Sequence, residues 1–156
     1  MQIHALDFED FSEEKYALIG IHTPLENYKI AYLLNQQFKI NLKKESYTLD
    51  IQKKECIVSF DVYSYENTTY DFHWYLIENS CSQENTTIAH NTLFNSETKN
   101  YLIPEKKNID FFLKISGDSP NKFIDKTVAE MNTIDQIMTS YAITPTSLKS
   151  KDFLIF

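Results

Sequence analysis

Residues 56–77, CIVSFDVYSYENTTYDFHWYLI, decide the fold. Apolar side chains recur at every second position, at Cys56, Val58, Phe60 and Val62 and again at Phe72, Trp74 and Leu76, with Ser59, Asp61, His73 and Tyr75 between them. A period of two marks a strand with one face turned to a core, and two such runs in sequence predict an antiparallel hairpin. A loop at Glu66-Asn67-Thr68 sets Phe60 opposite Trp74 and Val62 opposite Phe72, whereas a loop one residue shorter sets apolar residues against polar ones. Asn67 tolerates the left-handed conformation such a loop needs. In this register Asp61 faces His73, Tyr63 faces Asp71 and Ser59 faces Tyr75, all away from the core. Cys56 then faces Glu78 and Cys81 points to the other side of the sheet, so no disulfide is expected.

Upstream, the same alternation runs through Phe38, Ile40 and Leu42 and then Tyr47, Leu49 and Ile51. Turning at Lys43 to Ser46, these predict a second hairpin with Leu42 opposite Tyr47. Before it, Thr23-Pro24-Leu25-Glu26 combines a Thr cap, Pro at the first helical position and a Glu that closes a capping box. A helix is expected from Pro24 to about Gln37, with Leu25, Tyr28, Ala31, Tyr32 and Asn35 on its inner side and Leu33 and Leu34 widening the stripe. Tyr16 to Ile21 is a continuous apolar run, the pattern of a strand covered on both faces. Residues 1–14 form an acidic leader with Ile3, Leu6, Phe8 and Phe11 spaced for a short docked turn or strand.

Downstream, residues 79–100 are loop-rich, with a short element around Leu93-Phe94. Tyr101 to Glu105 reads as a strand interrupted by Pro104, which lacks a ladder donor. Ile109, Phe111, Leu113 and Ile115 alternate as a last strand. Ser119 and Pro120 open a long helix with Ile124, Val128, Met131, Ile134, Met138 and Tyr141 on its buried stripe. Lys151 to Phe156 ends apolar and is expected to dock as a strand or staple. The fold class is therefore α+β: a single domain over 1–156, a mostly antiparallel meander of five to six strands, an early capped helix and a long C-terminal helix on one face.

Composition narrows function by exclusion. The chain has 156 residues, 15 Lys+Arg against 22 Asp+Glu, a net charge of −7, and every cation is a lysine. Nucleic-acid binders concentrate cations to neutralise phosphate, so direct nucleic-acid binding is not expected. Without arginine, bidentate guanidinium contacts to bases or phosphates are excluded. The first twenty residues carry five carboxylates and no basic start to an apolar run, unlike a secretory segment, and nothing approaches a membrane span. A cytoplasmic protein is expected. Two distant cysteines and four scattered histidines form no metal motif, so neither a metal nor a cofactor is expected.

The most site-like cluster is the Asp61–His73 pair, a carboxylate placed to fix an imidazole tautomer, as acid–base chemistry requires. A polar ladder on a solvated sheet face accounts for the same residues. Cys81 has no basic neighbour to activate it. Tyr63, Tyr75, Ile77 and Phe112 stand on the face away from the expected core and suggest a contact surface.

From Ile103 to Phe111 the sequence reads Ile-Pro-Glu-Lys-Lys-Asn-Ile-Asp-Phe. It resembles the bacterial proteins named for an IPExxxVDY motif, with Ile109 for Val and Phe111 for Tyr. Ile21-His-Thr-Pro-Leu-Glu-Asn-Tyr28, Ala31-Tyr-Leu-Leu-Asn35 and the closing Leu-Ile-Phe also look like that family, so the likeness spans nearly the whole chain. It implies no assigned activity and no catalytic residue. Physically the motif reads as a corner, with Glu105 capping N–H groups and Ile109 and Phe111 in the core; Glu105 and Asp110 near Lys106 and Lys107 could also form a carboxylate pair. The leading expectation is a non-catalytic interaction or scaffold domain that binds a protein partner or a second copy of itself. The alternatives are a small acid–base enzyme at Asp61/His73 and a protein-binding accessory of an RNA-processing machine.

Overall fold

The computed structural model describes residues 15–53, 56–89, 92–117 and 120–154. The 1–14 leader, the Ser119 cap and the last two residues of the C-terminal staple lie outside the described residues. The elements are β1 (Tyr16–His22), α1 (Asn27–Phe38), β2 (Lys43–Lys53), β3 (Cys56–Asn67), β4 (Phe72–Glu78), β5 (Ser80–Ala89), β6 (Thr92–Tyr101), β7 (Phe111–Ser116), α2 (Asn121–Met131) and β8 (Thr139–Ile143). Six strands form one antiparallel sheet in the order β2-β3-β4-β7-β1-β8, and β5 and β6 pair separately. The protein is a single α+β domain.

The central strands of the sheet are buried on both sides. Ile19, Ile21, Trp74, Leu76, Leu113 and Ile115 face α1 and α2, meeting Ile30, Leu34, Ile124 and Met131. Leu18, Val58, Phe60, Ile77 and Phe112 face the other way, under Leu102, Ile103, Ile109, Leu148 and Leu154. This is why β1 reads as a continuous apolar run, and why Phe112, off the alternating set of the last expected strand, is buried as well. Both helices pack on one face as expected, and a 3-10 turn at Lys151–Leu154 staples the second face, with Leu154 buried.

Two-sided burial also explains the main correction. With apolar residues of both parities, alternation cannot fix register, and a slip by an odd number of residues reverses every side chain. The β3–β4 ladder pairs Val62 with Ile77, Tyr63 with Leu76 and Tyr65 with Trp74. The connection is therefore longer, from Thr68 to Asp71. The Asn67 side chain accepts the N–H groups of Thr69 and Tyr70, at 3.1 and 3.3 Å, and the left-handed residue is Asp71, with φ 55°. Ile77 and Phe112, expected on a solvated face, are fully buried, and Tyr63 is buried against the helices.

Other differences follow from side-chain hydrogen bonds and helix ends. The first helix begins at Asn27, because Thr23 Oγ1 donates to Gln136 O at 2.8 Å and accepts the Leu25 N–H at 3.3 Å in a turn ahead of the helix. It ends at Lys39 in the left-handed conformation. Asn35 then accepts the Leu42 N–H at 2.7 Å and donates to Leu42 O at 3.2 Å, so residues 40–42 cross under the helix and no 38–52 hairpin forms. Tyr28 and Tyr32 turn outward, leaving Ile30, Ala31 and Leu34 as the buried stripe. The expected loop over 79–100 forms the β5–β6 ribbon instead. The C-terminal helix stops at Met131, and Tyr141 belongs to β8.

Candidate functional site

The odd register separates the expected catalytic pair. Asp61 and Glu78 share the helix-covered face, whereas His73 stands on the other face, stacked on Tyr75 with ring centroids 4.4 Å apart. Asp61 and His73 therefore cannot form a dyad. Tyr75 lies under the ammonium of Lys114, 5.5 Å from its ring centroid. Ser59 donates to Asp50 at 2.6 Å across the β2–β3 ladder. Cys56 and Cys81 are both thiols with no bond between them.

A different cluster replaces the expected one, where the start of α1 crosses β3 and β4. Asn27 Nδ2 donates to Asp61 Oδ2 at 3.1 Å and to Glu78 Oε2 at 3.4 Å. Its Oδ1 accepts the Tyr28 N–H at 2.7 Å and the Tyr63 hydroxyl at 3.4 Å. Lys44 reaches Asp61 Oδ2 at 2.9 Å. Burial, then the Asp61 charge, push the Glu78 carboxyl above the ordinary carboxylate range, and hydrogen bonding and charge from Asp61 raise the Lys44 ammonium. Burial raises the Tyr63 hydroxyl, and burial followed by the charges of Glu78 and Asp61 raises the Cys81 thiol, which disfavours thiolate chemistry.

Two carboxyl groups with unequal surroundings are ingredients of acid–base chemistry. Here one amide holds both, and its other hydrogen bonds tie the strands to the start of α1, so the cluster works as a clamp. The four described concavities are lined by other residues. Among the described residues, no group of three His, Cys, Asp or Glu side chains is placed to hold a metal.

Glu105 and Asp110 do not pair. Glu105 accepts the Ser150 N–H at 2.8 Å and the Ser150 hydroxyl at 2.9 Å, capping the C-terminal turn. Burial pushes its carboxyl up, but hydrogen bonds from Ser150 and from the backbone of Glu105 and Lys149 together outweigh this and leave it below the usual range. Asp110 Oδ2 accepts the Thr23 N–H at 2.9 Å ahead of α1. Ile103 and Ile109 of the same motif are buried, and the turn wraps around Asn79, which is itself fully buried. The motif is a corner that joins three parts of the chain.

The surface feature that sequence reasoning placed on the wrong side is the outer face of α1. Tyr28 and Tyr32 are 55 % and 60 % exposed. With Leu25, Lys29, Leu33 and Gln136 they line a concavity of about 450 Å³, and Met138, two residues beyond Gln136, is 78 % exposed. Tyr28 and Tyr32, four residues apart, share one face of α1 and the buried Ile30, Ala31 and Leu34 another, with Leu25 of the preceding turn beside the tyrosines, so α1 carries apolar residues on two faces. The spacing was visible in the sequence, but which stripe faces the sheet was not.

No described helix is long and apolar enough to cross a membrane. Comparison of the chain with family models, curated proteins and solved structures gives no match.

Proposed function

We propose that the chain is a non-catalytic protein–protein interaction domain whose contact surface is the outer face of α1, and that the partner it fits is a second copy of the chain. The observation that carries this reading is the pair Tyr28 and Tyr32, exposed on the outer face of α1 beside an apolar concavity that the half-buried Leu25 also lines. Large aromatic side chains arranged in this way are the residues that anchor protein contacts. A two-fold arrangement suits them, because a tyrosine hydroxyl both donates and accepts and the same patch can serve both partners. Edge pairing through β8 is a poorer route, since the Asn132 side chain already occupies the backbone groups of Ser140. A cytoplasmic setting fits two cysteines that remain thiols. Kinship with the IPExxxVDY family belongs to the same proposal and rests on the 103–111 sequence.

Sedimentation equilibrium of the full chain beside a Tyr28→Ser/Tyr32→Ser variant tests this. The expected result is a reversible dimer for the native chain and a monomer for the variant, with the same circular dichroism. A native chain that stays monomeric to high micromolar concentration, or a variant that still dimerises, overturns the proposal.

A further inference from the structure

Residues 104–109 of the corner and Tyr141 of β8 line a concavity of about 330 Å³. One side of it is apolar. Tyr141 pairs with Gly20 of β1, and a Cβ on Gly20 would stand 2.8 Å from Ile109 Cδ1, so the missing side chain lets the buried Ile109 lie against the strand beside Tyr141. The Tyr141 ring is 40 % exposed, and its hydroxyl lies 3.1 Å from His22 Nε2, a contact that holds the ring in place.

The other side is cationic. Lys106 and Lys107 both line the concavity, and among the described residues neither ammonium has an ion-pair partner. Lys107 Nζ instead stands 5.6 Å from the Tyr101 ring centroid, and Lys99 Nζ stands at the same distance from the same ring. The one carboxylate in the lining, Glu105, turns both oxygens to Ser150, at 2.8 and 2.9 Å, which brings Lys149 and Lys151 to the same corner. Asp110 Oδ2 accepts the Thr23 N–H, and the exposed Asp152 follows Lys151. Like charges gathered without a carboxylate partner repel one another, and an anion seated between them reverses that cost.

The backbone beneath these lysines is fixed. Lys106 N–H donates to Ile103 O at 3.0 Å, and Lys106 O accepts Asn79 Nδ2 at 2.9 Å and the Ile109 N–H at 3.0 Å. A site on a held turn loses less freedom when it binds. Two ammonium groups beside the Asn108 amide suit a dianionic phosphoryl group, and the Tyr141 ring beside Pro104 and Ile109 suits a flat apolar body attached to it. The volume is that of a small-ligand pocket. We propose that the corner concavity binds a small phosphate monoester, with the phosphoryl group between Lys106 and Lys107 and the body against Tyr141. Two lysines neutralise a single phosphate and not the run of phosphates a nucleic acid presents, so the site agrees with a chain of net charge −7. This inference is independent of the α1 contact surface and uses none of its residues.

Amide NMR titration of the full chain tests it, with adenosine 5′-monophosphate as the probe beside inorganic phosphate, adenosine and sodium chloride at matched ionic strength. The monophosphate should shift Lys106 to Ile109 and Tyr141 saturably and bind at least about tenfold more tightly than inorganic phosphate, while adenosine gives no saturable change. Lys106→Gln/Lys107→Gln should weaken binding at least about tenfold with unchanged circular dichroism and urea midpoint, and Tyr141→Leu should lower the affinity to that for inorganic phosphate. No saturable change, shifts centred elsewhere, a response that sodium chloride or adenosine reproduces, equal affinity for the monophosphate and inorganic phosphate, or a double-lysine variant that binds as tightly as the native chain overturns the proposal.

Discussion

The side chain of Asn79 accepts the backbone N–H of Ile103, 24 positions further along the chain, at 2.8 Å. The other end of the same amide donates to Lys106 O at 2.9 Å and Ile109 O at 2.8 Å, while the Asn79 backbone bonds to Asp110 and Leu102. One fully buried asparagine thus organises the whole 103–110 corner. A buried polar group is tolerated only when its hydrogen-bonding capacity is used, and here the side chain replaces the ladder partners that a turn lacks. Asn79→Ala leaves one N–H and two carbonyls without that partner and should destabilise the fold by about 3 kcal/mol, read from urea unfolding. A loss below about 1 kcal/mol would show that the corner holds without it.

Asn132 performs the same service at the sheet edge. Its amide accepts the Ser140 N–H at 2.7 Å and donates to Ser140 O at 3.1 Å, mimicking a neighbouring strand along β8. Edge strands with open backbone groups recruit other strands. Asn132→Ala should lower stability by about 1 kcal/mol and add concentration-dependent association seen by light scattering. No new association would mean that the edge is protected by something else.

Glu78 should give a pH signature. Its carboxyl is raised in the folded state, first by burial and then by Asp61, so between its unfolded and folded values the native state holds more protons than the unfolded chain. Stability therefore falls as pH rises from the ordinary glutamate value through the folded one. Glu78→Gln keeps an acceptor for Asn27 and removes the charge, so the variant should lose this slope and be the more stable protein at neutral pH. Parallel melting curves across the acid-to-neutral range decide it, and an unchanged slope contradicts the assignment.

Gly117 closes β7 in a conformation reserved for glycine, with φ 122°, and a Cβ there would stand 2.9 Å from Asp71 O as well as against Phe72. Gly117→Ala should cost about 2 kcal/mol or more, from backbone strain plus a contact with a rigid carbonyl. Thermal unfolding measures it, and a neutral substitution would refute the close packing of the β3–β4 turn on this residue.

What could be read from sequence followed the physics of each segment. Tyr16 to Ile21 read correctly because a strand covered on both sides is apolar throughout, whereas Phe111 to Ile115 was legible as a strand from its alternation, which left the buried Phe112 on a face expected to be solvated. The same property hid the register of Val62 and Tyr63, since either parity offered an apolar face, and with it went the Asp61–His73 pair. Asp61 and Tyr63 were visible as candidates, but Asn27 meets them from 34 and 36 residues away, and no local pattern announces such a contact. Met131 to Tyr141 kept a helical period past the end of α2, and only Asn132, which caps β8, marks the break. The Ile103–Phe111 corner read as structural from its proline and its apolar anchors. Its centre at Asn79, over twenty residues upstream, did not.

The most direct test of the central claim, that the outer face of α1 is the contact surface, is the concentration dependence of the amide NMR spectrum of the unmodified chain. From low micromolar to millimolar concentration, shift changes should gather on Leu25 to Leu33 and Gln136 to Met138 and leave β2 and β8 unmoved. A spectrum that does not change with concentration, or changes centred on the sheet edges, would contradict it.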